Sequence, residues 1–295
     1  MTRELKALTA TGKSQDRGVL AAGLYVVATP IGNAKDISLR ALEVLKGCNV
    51  IAAEDTRMTA KLLAIYEIQK PLIAYNDHNG AQMRPKVLYR LSQGEAVALV
   101  SDAGTPLVSD PGYKLLREAI AAGIAVVALP GPSAVLAGLV VSGLPSDRFL
   151  FAGFLPTRVG ERANALKELK GVRATLIFFE SAQRLGETLG AMAEVLGDRA
   201  CAVTRELTKL HEEVRRGSLR DLAADYAKST APKGEVTLLV GPPRQAVTDT
   251  AKLDQALKEA LAFMPLKTAV DLIANLTEVS RKLLYEQALR LRNGD

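Results

Sequence analysis

The sequence is poor in the residues that mark several familiar classes of protein. Tryptophan is absent and aromatic residues make up only 4% of the 295 residues, whereas proteins that hold single-stranded nucleic acid mainly by base stacking are richer in them. The two cysteines, Cys48 and Cys201, lie far apart, and there are only two histidines. These counts argue against a disulfide scaffold and a zinc site, and we expect no metal. They are typical of a protein of the reducing cytoplasm.

Long apolar segments are also missing. No run of about 18 apolar residues occurs, so we expect no transmembrane helix and no membrane partner. The first 22 residues contain charges but no long apolar core, which disfavours a secretory signal. We interpret residues 1–22 as a flexible basic tail.

Two common nucleotide-binding signatures are absent. No G-x-G-x-x-G follows the first predicted strand, which disfavours a standard dinucleotide fold. No G-x-x-x-x-G-K-[ST] occurs either, which disfavours a P-loop nucleotidase. A nucleotide-like ligand would therefore need a different kind of loop.

What the sequence does contain is an alternation of short apolar runs and helical segments. With 48% hydrophobic and 24% charged residues, this pattern indicates a globular α/β protein with a mostly parallel sheet covered by helices. We predict an N-terminal lobe over 23–143, a C-terminal lobe over 144–241 and a small helical appendage over 250–295. The predicted strands are 24–28, 50–53, 72–75, 97–101, 125–129, 149–153, 174–179, 200–204 and 236–240.

Three loops rich in glycine and proline directly follow predicted strands. They are 29–33 (TPIGN), 101–112 (SDAGTPLVSDPG) and 130–134 (PGPSA). In an open α/β sheet, ligands gather beyond the carboxyl ends of the strands. Glycine lets the backbone approach a ligand closely, and proline fixes the loop shape in advance. The three loops could be turns alone, but their shared position favours a compact, nucleotide-like cofactor on the 101–112 loop.

The charge balance points to an anionic partner or to an ordinary mildly basic surface. The net charge is +6 and the isoelectric point about 9.3. Residues 158–184 hold six basic residues against three acidic ones, and the last helix carries Arg281, Lys282, Arg290 and Arg292. Lysine and arginine bind RNA through its phosphates, although both groups could equally be solvated helix faces.

Several separated segments together resemble a known family. They are VVATPIGNAKDISLRALEVLK, AAEDTR, VALVSDAGTPLVSDPG, ALPGPSAVLAGLVVSGLP, FLFAGFLP, FFES, TRELTKLHEE and PKGEVTLLV, and they occur in the family's order between residues 23 and 291. They resemble the S-adenosylmethionine-dependent tetrapyrrole-methylase superfamily and, within it, the methyltransferases that act on small-subunit ribosomal RNA. LKTAVDLIANLTEVSRKLLYEQAL is similar to the C-terminal region of that subfamily.

The resemblance implies a two-lobed class III methyltransferase fold with a C-terminal helical appendage. It implies a homodimer that methylates the ribose 2′-oxygen of a cytidine in 16S rRNA, near the decoding site of the small ribosomal subunit. It also implies S-adenosylmethionine in the cleft between the lobes. The residues that would contact this methyl donor are Pro30, Asp102, Ala103, Gly104, Thr105, Val108, Ser133, Ala134, Phe179, Leu207, Gly234 and Glu235.

Departures from the family pattern concern the substrate side of the cleft. Ala182 and Gln183 stand where the family has Pro-His after the Glu-Ser of FFES, and residues 75–79 differ around their His-Asn pair.

Candidate catalytic residues follow the second and third predicted strands. Removing the proton of a ribose hydroxyl requires a positioned base, and the candidates are Glu54, Asp55, Arg57 and His78. Residues 54–57 could instead be an acidic helix start, and His78 could be an ordinary surface histidine. The base therefore stays open at this point.

Two other functions fit the same sequence less well. A tetrapyrrole methylase of the same fold has no evident use for a basic appendage, and a non-catalytic RNA-binding assembly factor has no need of an intact cofactor loop.

Overall fold

A computed structural model describes residues 20–228, 232–243, 250–277 and 279–293. Nearly all of the predicted tail lies outside the described residues. The chain divides into two compact units, Met1–Pro242 and Pro243–Asp295. Within the described part of the chain, no helix is long and apolar enough to span a bilayer.

The first sheet of the larger unit is parallel throughout and has the strand order β3-β2-β4-β1-β5. Strands β1, β2 and β4 are buried along their whole length, as parallel strands covered by helices on both faces are. Because β1 and β4 are neighbours, the loops that follow them leave the sheet side by side. The bounds are β1 Gly23–Val27, α1 Leu39–Gly47, β2 Val50–Ala53, α2 Thr56–Ile65, β3 Leu72–Ala74, α3 Gly80–Ser92, β4 Ala96–Val100, α4 Tyr113–Ala121, β5 Val126–Leu129 and α5 Ala134–Ser142.

The second sheet is mixed and has the order β6-β7-β10-β8-β9. Only β6 and β7 pair in parallel, so the expectation of a mostly parallel arrangement holds for the first sheet and not for the second. Strands β8 and β9 form a hairpin, and β10 lies between β7 and β8 and runs antiparallel to both. The bounds are β6 Phe149–Phe154, α6 Val159–Leu169, β7 Thr175–Ser181, α7 Leu185–Leu196, β8 Ala200–Arg205, β9 Glu213–Ser218, α8 Leu219–Lys228 and β10 Glu235–Val240.

Helix α5 connects the two sheets. Its buried residues Val135 and Leu139 pack with Ile177, Ala202 and Leu239 of the second sheet. Its first turn follows β5 of the first sheet, and Ser133 caps it by accepting from the Leu136 backbone N–H (3.5 Å). One helix therefore follows the edge strand β5 of the first sheet and packs on the central strands β7, β10 and β8 of the second.

The described part of the smaller unit contains three helices, α9 (Thr250–Phe263), α10 (Leu266–Thr277) and α11 (Arg281–Asn293). They pack around Leu253, Leu257, Val270, Leu284 and Ala288. Ser280 caps α11, since its hydroxyl accepts from the backbone N–H of Leu283 (3.2 Å).

Candidate active site

The loops that follow β1 and β4 form one structure at the edge of the first sheet. The backbone N–H of Thr29 donates to the carbonyl of Gly104 (2.8 Å), and the N–H of Gly104 donates to the carbonyl of Thr29 (3.0 Å). The third loop joins them, because the Thr105 hydroxyl donates to the carbonyl of Pro132 (3.1 Å). The three loops singled out from the sequence thus make a continuous wall.

The 101–112 loop has an unusual backbone. Gly104 has φ 82°, and Leu107 and Ser109 lie in the left-handed region with φ 73° and 67°. For residues other than glycine this conformation costs about 1–3 kcal/mol each, and such strain is concentrated at ligand sites and switches. At the end of the loop, Gly112 has φ 128°, which favours glycine, and a Cβ there would also lie 2.8 Å from Leu99 Cδ2. Four residues of this loop, Gly104, Leu107, Ser109 and Gly112, thus have positive φ.

A cavity of about 430 Å³ lies between this wall and the second sheet. Its volume falls in the range of small-molecule sites, about 300–1,000 Å³. The first lobe contributes the residues after β2 and β4 and the start of α5, and the second lobe contributes the ends of β6 and β7 and the start of β10. The lining residues are Ile31, Glu54, Asp102–Thr105, Val108–Asp110, Ser133–Val135, Phe154, Phe179–Gln183 and Gly234–Thr237.

The structure brings most of the residues predicted for the methyl donor to this cavity. Ten of them line it: Asp102, Ala103, Gly104, Thr105, Val108, Ser133, Ala134, Phe179, Gly234 and Glu235. Pro30 and Leu207 are buried and do not line it, although Pro30 precedes Ile31, which does. Neither residue therefore has a direct contact with the cavity in this structure.

The first-lobe wall is acidic. The backbone N–H of Asp102 donates to Glu54 Oε2 (3.3 Å), and the N–H of Asp55 donates to Asp102 Oδ1 (3.0 Å). Burial raises the pKa of Glu54, and the nearby Asp110, Asp102 and Asp77 raise it further. Burial likewise raises the pKa of Asp102 and of Asp110. An acidic, partly desolvated cavity suits a cationic ligand.

Of the four candidate catalytic residues, only Glu54 lines the cavity. Asp55 caps α2, accepting from the backbone N–H of Arg57 (2.8 Å) and pairing with its guanidinium (2.7 Å). These bonds lower the pKa of Asp55 to about 2. Of the two alternatives considered for Asp55 and Arg57, a catalytic role or a helix start, the structure shows the helix start.

His78 is exposed and lies outside the cavity wall. Its backbone N–H donates to Asn76 Oδ1 (3.2 Å), in a turn that opens α3. Asn79 closes the turn by accepting from the Asn76 N–H (2.9 Å) and donating to the Ala74 carbonyl (3.1 Å). Asn76 also donates to the backbone carbonyl of Glu54 (3.3 Å). This segment positions the backbone that carries Glu54.

The second-lobe wall contains Glu180 and Phe154, which were not predicted from the sequence, beside the predicted Phe179. Glu180 is buried at the end of β7, and both of its carboxylate oxygens have protein partners. Oε1 accepts from the Ser181 N–H (2.7 Å), and Oε2 accepts from the Thr188 hydroxyl (2.6 Å), with Arg184 3.5 Å away. Phe154 and Phe179 add an apolar surface, their ring centroids 5.6 Å apart. The only feature of the sequence that could have indicated Glu180 as a site residue is its position at the end of a predicted strand.

A cluster of ion pairs within the second lobe lies beside a hydrogen bond that joins the two lobes. Lys209 Nζ lies 2.9 Å from both Glu206 Oε1 and Glu235 Oε2. The next contact crosses to the first lobe, where the Asn33 N–H donates to the Thr208 hydroxyl (3.1 Å). Gly32 lies against this segment so closely that a Cβ there would come within 2.4 Å of Lys209 Cγ. The loop after β1 is thereby fixed to the second lobe.

Family models match almost the whole described chain. Residues 23–223 match the tetrapyrrole (corrin/porphyrin) methylases, and residues 242–292 match the RsmI C-terminal HTH domain. Among solved structures, diphthine synthase aligns with a TM-score of 0.59 at 19% identity, covering 74% of this chain and 89% of that one. A uroporphyrin-III C-methyltransferase from Thermus thermophilus, complexed with S-adenyl homocysteine, aligns with a TM-score of 0.53 at 18% identity, covering 74% and 96%. At these identities the likeness shows the fold.

The chain belongs to the tetrapyrrole methylase family. Within it, the chain belongs to the family of ribosomal RNA small subunit methyltransferase I. It is 52% identical over 271 residues to the member from Mesorhizobium japonicum, covering 92% of each chain. It is 51% identical to the member from Erythrobacter litoralis, covering 92% of this chain and 96% of the relative, and 45% identical to that of Escherichia coli O157:H7, covering 90% and 94%.

These findings confirm the predicted family, the class III methyltransferase fold and the assignment to the methyltransferases. S-adenosylmethionine as the methyl donor agrees with the same family. Within the described residues, no group of three or more histidine, cysteine, aspartate or glutamate side chains is arranged to hold a metal ion.

Proposed function

We propose that this protein transfers a methyl group from S-adenosylmethionine to the ribose 2′-oxygen of a cytidine in 16S rRNA, near the decoding site. The observation that carries the proposal is the acidic cavity on the 101–112 loop of a methylase fold. The relatives that share about half of its residues are named for methylation of small-subunit ribosomal RNA.

The cavity fits the methyl donor chemically. S-adenosylmethionine supplies a methyl group from a sulfonium cation, and Glu54, Asp102 and Asp110 give the wall the opposite charge. The φ of 82° at Gly104 is one that glycine adopts without cost, and the missing side chain leaves room for an adenosine-sized group. Phe179 and Gly234 would close the site from the second lobe, and Ser133 and Ala134 from α5.

We assign the role of general base to Glu54. Its Oε2 accepts one backbone hydrogen bond, and its side chain lines the cavity. Its raised pKa makes it a stronger base than an exposed glutamate, and a positioned base contributes typically 10²–10⁴-fold to a rate. Alignment of the hydroxyl with the methyl group can contribute about 7–11 kcal/mol more, so the rigid 101–112 loop has a direct catalytic use.

The two lobes, 23–143 and 144–241, would divide this work, with the first holding the reacting groups and the second closing the cavity. We place the reaction in the cytoplasm, where small ribosomal subunits are made. The two cysteines, Cys48 and Cys201, are both buried free thiols, which suits a reducing compartment.

A homodimer would explain the composition of α5. Eight of its nine residues, AVLAGLVVS, lack a polar side chain, and a helix that is apolar on all sides is normally buried. Yet Leu136 is 52% exposed and Val140 is 77% exposed. A second copy of the chain that covered this face of α5 would bury both residues. The first turn of the same helix lines the cavity.

The test is methyl transfer from labelled S-adenosylmethionine to 30S subunits, to naked 16S rRNA and to a tetrapyrrole. We expect label in 16S rRNA at one cytidine, and an alkali-resistant bond after that nucleotide, because a 2′-O-methyl group removes the hydroxyl that attacks the phosphodiester. Label in RNA with an alkali-sensitive bond would contradict the 2′-oxygen, and label in the tetrapyrrole alone would overturn the proposal.

A further inference from the structure

A basic groove marks the smaller, helical unit. It runs between α10 and α11 and is lined by Lys267, Val270, Arg281, Lys282, Tyr285 and Glu286. Three of these six side chains are cationic, and Tyr285 is 46% exposed in the same groove. Nothing in the methyl-transfer chemistry of the larger unit uses them.

The groove holds three cations and one carboxylate, Glu286, and among the described residues only one of the three cations forms an ion pair. Arg281 pairs with Asp271 across the two helices (2.6 Å), which fixes one side of the groove. Lys267 and Lys282 are exposed, and neither makes an ion pair with any residue in the described part of the chain. Lysine side chains held at both sides of a groove attract a polyanion, chiefly through its phosphates.

The orientation of α11 is fixed by its packing. Leu284 and Ala288 are buried against α9 and α10, so Lys282 and Tyr285, which flank Leu284, face outward. Only three residues, 278–280, separate α10 from α11, and this unit matches a helix-turn-helix model. In helix-turn-helix proteins the second helix presents the residues of its N-terminal end to nucleic acid. Lys282 and Tyr285 are the second and fifth residues of α11.

We propose that this groove binds the 16S rRNA outside the methylated nucleotide. Lys267 and Lys282 would contact phosphates, and the ring of Tyr285 would stack on an unpaired base, as aromatic side chains do in RNA recognition. The inference rests on the proposed function and names a second contact surface for the same substrate. It assigns the unit to substrate affinity and leaves methyl transfer to the larger unit.

The experiment uses the full chain with Lys267→Glu and Lys282→Glu combined. We expect the KM for 30S subunits, or for 16S rRNA, to rise on the order of 10- to 100-fold, with kcat and the affinity for S-adenosylmethionine unchanged. The slope of log Kd against log salt should fall by about 1.4, or 0.7 for each of two lost phosphate contacts on a single strand. Tyr285→Ala should weaken binding on the order of tenfold, while Tyr285→Phe, which keeps the ring, should not.

Matched controls separate charge from damage to the fold. Lys258→Glu makes the same charge change on an exposed residue of α9 outside the groove and should leave KM unchanged. Lys267→Arg with Lys282→Arg keeps both charges and should bind as the wild type does. A KM for the glutamate variant equal to that of Lys258→Glu, or a change confined to kcat or to the oligomeric state, would overturn the inference. If the proposed function itself is wrong, the wild type will label no RNA, which is a different outcome.

Discussion

The two walls of the cavity contain similar residues and use them differently. On the first-lobe wall, Glu54 accepts one backbone hydrogen bond and shares its surroundings with the carboxylates of Asp77, Asp102 and Asp110. On the second-lobe wall, both carboxylate oxygens of Glu180 accept hydrogen bonds, one from the Ser181 N–H and one from the Thr188 hydroxyl. Glu235 forms an ion pair with Lys209. Carboxylates with few partners remain available to a ligand, whereas carboxylates with full sets of partners hold structure. On the proposed mechanism, this difference distinguishes the reacting carboxylate, Glu54, from the supporting ones.

The largest expected effect concerns the backbone of the first wall. Gly104→Val places a branched side chain in the cavity at φ 82°, and we expect the Kd for S-adenosylmethionine to rise on the order of 100-fold or more, measured by calorimetry. Gly94→Val is the matched control, because Gly94 has φ 81° and nothing within 4 Å of its Cβ. The Gly94→Val variant therefore has the same backbone strain as Gly104→Val, at a position outside the cavity lining. Equal affinity in the two variants would place the methyl donor elsewhere.

Helix α5 joins the two walls, and its exposed face tests the homodimer. Val140→Glu should weaken self-association on the order of 100-fold, because a dimer would bury the new carboxylate, and mass photometry over a dilution series measures this. Ile120→Glu is the control, because Ile120 lies on the exposed side of α4. This variant should leave the mass of the oligomer unchanged. A Val140→Glu variant that dimerises like the wild type would assign the interface to another surface.

The second wall should contribute stability more than rate. Thr188→Val removes the hydroxyl that donates to Glu180 Oε2, and we expect the free energy of unfolding to fall by about 1–3 kcal/mol. Thr175→Val removes an equally buried hydroxyl whose acceptor is the neutral carbonyl of Pro145, so its loss should be smaller, about 0.5–1.5 kcal/mol. Chemical denaturation measures both. A large fall in kcat for Thr188→Val in folded protein would make Glu180 part of the chemistry.

The smallest effect is expected at Asp55, next to the proposed base. Its hydrogen bonds to Arg57 lower its pKa to about 2, so its ion pair stabilises the fold above the ordinary pKa of aspartate and is lost as the pH falls toward 2. Asp55→Asn keeps an oxygen to cap α2 and removes the charge. We expect a slightly lower Tm at neutral pH, a difference that shrinks as the pH falls toward 2, and an unchanged kcat. A kcat that falls as far as that of a Glu54 variant would give Asp55 a catalytic role.

Much of the first wall could be predicted from the sequence. The nine predicted strands lie within two residues of the observed ones, because buried strands bounded by glycine and proline are a strong local signal. The 101–112 loop could be predicted as a ligand-binding loop because it is rich in glycine and proline and directly follows one of these strands. Strand β9 was not predicted, since EVRRGS is a polar edge strand without the alternation that marks a buried face.

Side-chain direction and the approach of the second lobe could not be predicted. Glu54, Asp55 and Arg57 are near neighbours in sequence, and only the capping geometry of α2 turns Asp55 away from the cavity and leaves Glu54 facing it. Residues 180–183 reach the cavity through the packing of β7 beside β10, which depends on contacts distant in sequence. Local patterns carry no information on such contacts.

The most direct test of this division is the single-turnover rate of methyl transfer by Glu54→Gln, measured beside its Kd for S-adenosylmethionine. The glutamine keeps an oxygen for the Asp102 N–H but is no base. We expect the rate to fall by about 10²–10⁴-fold while the Kd changes by less than about threefold. The wild-type rate should rise with pH through the raised pKa of Glu54, and the variant should lack that rise. A rate within about threefold of the wild type would contradict the account.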